Sequence, residues 1–132
     1  MKILFAESEK DLNKVISKRL VENGHDVDSC IDGEEAIDRI FDTEYDAIIL
    51  DYALPKKNGL EVLDAVRKKG VSTPILFTTA KVSVEIYVKS LDYGANDCIK
   101  KPFSFDEIMK RLNGIMMDSY DKYRMHAERR EE

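Results

Sequence analysis

A small set of acidic, hydroxyl and basic side chains closes the short apolar runs of this chain. Glu7 and Ser8 follow "KILFA", Asp51 ends "AIILD", Thr78 and Thr79 end "PILFTT", and Lys100 and Lys101 follow "DCI" ahead of Pro102. If the runs lie side by side, two carboxylates come close and repel, so their site must hold a cation, keep a proton or recruit a lysine. Oxygen donors with few fixed partners suit Mg²⁺, which retains water and binds phosphate oxygens. An anionic nucleophile beside a metal, a hydroxyl and an ammonium group is what phosphoryl transfer to a carboxylate requires, with Asp51 as acceptor. The plain alternative is that Asp and Thr stand at strand ends because the chain leaves its core there. The stretch "DYALPKKNG" adds weight to the first reading. Pro55 and the residues after it make a stiff turn, and Asn58 and Gly59 suit a helix start or a positive backbone angle.

The elements that must position these residues alternate in period. "KILFA", "AIILD" and "PILFTT" are mostly continuous apolar runs of the kind a parallel sheet buries on both faces, with "HDVDSCI" and "DCIK" as weaker strands. Helical spacing lies between them: Leu12, Val15, Ile16 and Leu20; Ala36, Ile37, Ile40 and Phe41; Leu60, Leu63 and Val66; Val84, Val88 and Leu91; Phe105, Ile108, Met109 and Leu112. Gly24, Gly70 and Gly94 sit where the first, third and fourth helices should stop. Five alternations imply an α/β fold, a doubly wound five-stranded parallel sheet with helices on both faces, built from right-handed crossovers. In such a sheet all carboxyl ends share one edge, where ligands bind at the switch in strand order. After Met117 the sequence "DSYDKYRMHAERREE" turns polar, so the reading is a domain over 1–117 and a tail over 118–132, either a helix extension or a linker.

Composition narrows the function classes. A chain of 132 residues with 43% apolar content supports one core rather than two. Its 21 Lys and Arg against 26 Asp and Glu, net charge -5, argue against direct nucleic-acid binding, which needs a concentrated basic face. No apolar stretch reaches the roughly 18 residues of a membrane span, and "MKILFAESE" meets acidic residues too early for a secretory leader. Cys30 and Cys98 lack CxxC spacing. The expectation is a cytoplasmic protein with reduced cysteines and no membrane partner.

Taken together, "ILFAESE", "AIILDYALPKKNGLEVL", "PILFTTAK" and "GANDCIKKPF" resemble the receiver domain of two-component response regulators over residues 2 to 116. The resemblance implies a flavodoxin-like sheet of order 2-1-3-4-5 and Mg²⁺-dependent phosphoryl acceptance on Asp51 from a histidine kinase or a small phosphodonor. By position, it implies that Glu7 orients the metal, the Ala53 backbone carbonyl binds it alongside Asp51, Thr79 receives a phosphoryl oxygen, and Lys101 pairs with the phosphate. A cis Lys101–Pro102 bond is expected, and the face of helix 4, strand 5 and helix 5 is the family's contact surface for dimers and output domains. On that face Ile86, Tyr87 and Tyr93 accompany the expected core positions, and some should be exposed. No self-standing enzyme activity is implied beyond self-phosphorylation and self-dephosphorylation, and no output domain follows within this chain.

Five departures cluster round the same pocket. Ser8 stands where the family has its principal metal-binding aspartate, a neutral oxygen with weaker affinity for a hard cation. In "SEKD", Ser8 with Asp11 also reads as a helix cap. Cys98 replaces the aromatic ring that swings inward when the threonine engages phosphate, Tyr52 and Thr78 replace commoner aliphatic residues, and Ala53 stands where the family often has methionine. Two alternatives follow: a phosphorylation-independent interaction module, or an altered pocket in which Cys98 is a nucleophile with its pKa lowered by ammonium neighbours. The cysteine reading lacks a base, since His25 precedes strand 2 and His126 lies in the tail; Cys30 and His25 read as structural, and Met116 and Met117 as core packing rather than ligands.

Overall fold

Continuous runs of Ile, Leu and Phe lose the most water-exposed apolar surface when both faces of a strand are covered, at about 1.5–3 kcal/mol per large side chain. The chain realises this in β1 (Lys2–Ala6), β2 (Asp26–Cys30), β3 (Ala47–Asp51), β4 (Ile75–Thr79) and β5 (Asp97–Lys100). The computed structural model describes residues 1–80 and 83–131, with side chains described through residue 118. All pairings are parallel, in the order β2-β1-β3-β4-β5. The helices are α1 (Lys10–Glu22), α2 (Gly33–Asp42), α3 (Gly59–Lys68), α4 (Val84–Asp92) and α5 (Phe105–Glu131). The expected doubly wound α/β sheet is therefore present, with its switch in strand order between β1 and β3.

Alternation along each strand divides the core in two. Leu4, Ala6, Ile48, Leu50, Ile75 and Phe77 pack with Ala36 and Ile40 of α2 and Leu60, Leu63 and Val66 of α3. Ile3, Phe5, Ile49 and Leu76 pack on the other face with Ile16 and Leu20 of α1 and Ile108, Leu112 and Ile115 of α5. Gly24, Gly70 and Gly94 all take positive φ just past α1, α3 and α4, the closing role expected of them. Backbone helix continues through the polar tail to Glu131. His126 falls outside the described side chains.

Three local readings are corrected. Ser8 does not cap α1: Glu9 holds that position without a side-chain cap bond, and the Ser8 hydroxyl turns instead to Ala53. The phase of α4 is the larger correction. Val84, Val88 and Leu91 have core spacing, yet they are 81%, 46% and 38% exposed, while Ser90 is buried and Ile86 packs on the core. Residues 86 and 90 lie on roughly the opposite side of a 3.6-residue turn from that stripe, and Ser90 satisfies its hydroxyl on the Tyr87 carbonyl at 2.8 Å. Val15, Phe41 and Met117 are likewise exposed although their neighbours Ile16, Ile40 and Met116 pack inward.

Candidate functional site

The carboxyl edge of the sheet gathers the acidic, hydroxyl and basic residues. Asp51 ends β3 at 2% exposure, and Glu7, one residue past β1, is fully buried. Lys101 follows β5 and is fixed by its backbone N–H, which donates to the Thr79 carbonyl at 2.8 Å. Its ammonium group reaches both acids, contacting Glu7 Oε1 and lying 3.2 Å from Asp51 Oδ1. The other Glu7 oxygen accepts from the Glu9 N–H at 2.9 Å. Burial pushes the Glu7 carboxyl above its ordinary range, against the pull of Lys101. Burial pulls Lys101 down, but hydrogen bonding and charge from Glu7 and Asp51 more than offset that and hold it above its usual value. The Lys101–Pro102 peptide is cis, as expected.

The loop after Asp51 is held from both sides. Asn58 caps α3 in a reciprocal box with Glu61, and Gly59 lies so close to the Asp51 carbonyl that no Cβ fits there. Lys56 takes a positive φ of 69°. The loop is tied to the start of α2 by the Gly33 N–H donating to the Pro55 carbonyl at 3.0 Å and by Lys56 beside Asp32 at 3.7 Å. A Cβ at Gly33 would collide with the Lys57 carbonyl. The turn that presents Asp51 is thus built against backbone neighbours rather than left in solvent.

Strand alternation separates the two threonines. Thr78 pairs in register with Asp51 and donates its hydroxyl to Asp51 Oδ1 at 2.8 Å within the core. Thr79 points to the α4 face, where with Ser83, Tyr87, Cys98 and Arg111 it lines a cleft of about 370 Å³. Sequence reasoning brought Thr78 to this edge without giving it a partner; the signal was parity, since a residue beside Asp51 in the sheet shares its face. Cys98 is 4% exposed, and burial pushes its thiol up rather than down. Burial thus runs against the alternative of a thiol activated by ammonium neighbours. Cys30 is also buried, with its thiol pushed up to about 12 chiefly by burial, and His25 sits on the amino terminus instead.

A profile of the response regulator receiver domain matches residues 3–113. The transcriptional regulatory protein DltR of Streptococcus agalactiae is 42% identical over 112 residues, covering 85% of this chain and 50% of DltR. The response regulator ArlR of Staphylococcus aureus is 40% identical over 114 residues, covering 86% of this chain and 52% of ArlR. The chain belongs to the response regulator receiver family. It spans about half the length of these curated relatives. A solved Francisella response regulator receiver domain superposes with a TM-score of 0.84 at 33% identity, covering 89% of this chain and 98% of that one. Chemotaxis response regulator CheY4 of Vibrio cholerae gives 0.80 at 29% identity, covering 86% and 97%.

Receiver domains as a family use Mg²⁺, and the donor set here fits a dication poorly. Ser8 supplies a neutral hydroxyl, and that hydroxyl already donates to the Ala53 carbonyl at 3.0 Å, the backbone oxygen otherwise available to a metal. The Lys101 ammonium bridges the remaining carboxylates, Glu7 and Asp51. Among the described residues no cluster of three or more His, Cys, Asp or Glu could hold a metal ion, and no helix is long and apolar enough to cross a membrane.

Proposed function

We propose that this receiver domain accepts a phosphoryl group on Asp51, delivered by a histidine kinase, and that Lys101 and Thr79 respond to it. The observation that carries this is the buried Asp51 carboxylate held 3.2 Å from the Lys101 ammonium at the sheet's carboxyl edge. A carboxylate so placed is an anionic nucleophile beside a cation able to follow the incoming phosphoryl oxygens. Thr79, one residue beyond the Asp51 partner in β4, supplies a hydroxyl between that edge and α4. Incubation with acetyl phosphate followed by intact-mass measurement, beside Asp51→Asn, tests the assignment. A single phosphoryl adduct absent from the variant supports it; an adduct that persists in Asp51→Asn, or none on folded wild type, overturns it.

The α4 stripe supports a partner on the output side. Val84, Tyr87, Val88 and Leu91 project from one short helix into solvent, the sort of apolar patch that marks an interface. A second copy of the domain or an output domain is the occupant this reading assigns. The same stripe, with the Ser8–Ala53 bond across the metal-binding carbonyl, favours a second reading: an interaction module that works without phosphorylation. The mass experiment separates the two.

A further inference from the structure

The geometry points to Thr78 as a positioning residue for phosphoryl acceptance: its buried hydroxyl, with Lys101, holds one oxygen of Asp51 and leaves the other to attack phosphorus. This rests on Asp51 being the acceptor. Both contacts fall on Oδ1, the Thr78 hydroxyl at 2.8 Å and the Lys101 ammonium at 3.2 Å. Oδ2 accepts no hydrogen bond and forms no ion pair among the described residues. The two oxygens of the carboxylate are therefore unlike before any donor arrives.

Thr78 is well suited to this. It lies within β4, paired in register with Asp51, and is fully buried. A β-branched side chain in a strand has few rotamers to choose from, so the direction of its hydroxyl is set by the sheet.

In the step itself, an electron pair on Oδ2 forms the new O–P bond while the bond from phosphorus to the donor's leaving atom breaks, an imidazole nitrogen in a phosphohistidine or an oxygen in acetyl phosphate. With acetyl phosphate, acetate departs with that electron pair. Oδ1 becomes the carbonyl oxygen of the acyl phosphate and still accepts from Thr78, a neutral donor, so Lys101 is free to turn to the phosphoryl oxygens. Holding the attacking oxygen in line removes a rotation that would otherwise be lost in the transition state.

The test compares Thr78→Val, which keeps the shape and removes the hydroxyl, with Thr78→Ser, which keeps the hydroxyl and removes a methyl group from the core. Adduct formation with acetyl phosphate is followed by intact mass, and urea unfolding midpoints are measured on the same samples. Thr78→Val should slow labelling about tenfold, the scale of one hydrogen bond to a charged group, and Thr78→Ser should label within about twofold of wild type whatever packing it loses. Labelling of Thr78→Val at the wild-type rate overturns the proposal, as does Thr78→Ser slowed as far as Thr78→Val. An unlabelled wild type overturns the Asp51 assignment and this role with it, whereas a labelled wild type with an unaffected Thr78→Val removes Thr78 alone.

Discussion

The helices after Asp51 and Thr79 share an apolar period and have opposite fates. On α3, Leu60, Val62, Leu63 and Val66 are buried, and the entry is locked by the Asn58–Glu61 box. On α4, Ser90 is the buried residue, and Val84, Val88 and Leu91 face solvent. The edge beside α3 is therefore held by packing and backbone contacts, and the edge beside α4 by fewer buried side chains. On the proposed function that division is useful, because weakly packed elements reposition at low free-energy cost.

The largest effect should come from attacking the packing contrast directly. Leu63→Ala removes a fully buried side chain of α3 and should cost about 2–5 kcal/mol, whereas Val88→Ala on the exposed face should stay within about 0.5 kcal/mol. Denaturant unfolding of the two variants checks this, and equal losses would erase the distinction between the helices. A smaller change sharpens the acceptor side: Ser8→Asp replaces the hydroxyl on Ala53 with an anion and should raise Mg²⁺ affinity roughly tenfold, since charge count tunes affinity for a hard cation. Calorimetric titration with unchanged affinity would show that Ser8 is not what weakens the site.

The smallest effect concerns Glu7. Its folded pKa lies above the ordinary carboxylate value of 4.5, mainly through burial. The folded state then binds more protons than the unfolded state between those two values, so this group's contribution to stability is lost as pH rises through the window. Glu7→Gln should therefore melt higher than wild type at pH 7, with the advantage shrinking as pH falls toward 4.5. A gap that stays constant or widens on acidification would contradict burial as the controlling cause.

Local pattern was enough for much of this domain. Apolar runs of five residues, helical spacing between them and Gly24, Gly70 and Gly94 after three helices identify the strand and helix order, because those preferences act within a few residues. The strand ends Glu7, Asp51 and Lys101 were legible for the same reason, since every strand of a parallel sheet delivers its carboxyl end to one edge. The depth of Cys98 followed only from the general tendency of cysteine to pack in cores, because nearby lysines in sequence say nothing about depth.

Sequence by itself determined the family, the element order and which residue types meet at the sheet's edge. Tertiary structure alone decided which side of α4 meets the core, because periodicity defines a stripe but not its rotation toward a neighbour. It also decided that Thr78 rather than Thr79 touches Asp51, through the register of β3 against β4. The Ser8 hydroxyl reaching Ala53, 45 residues away in the chain, is of the same kind. Contacts between distant residues depend on how elements pack, and no local rule carries that information.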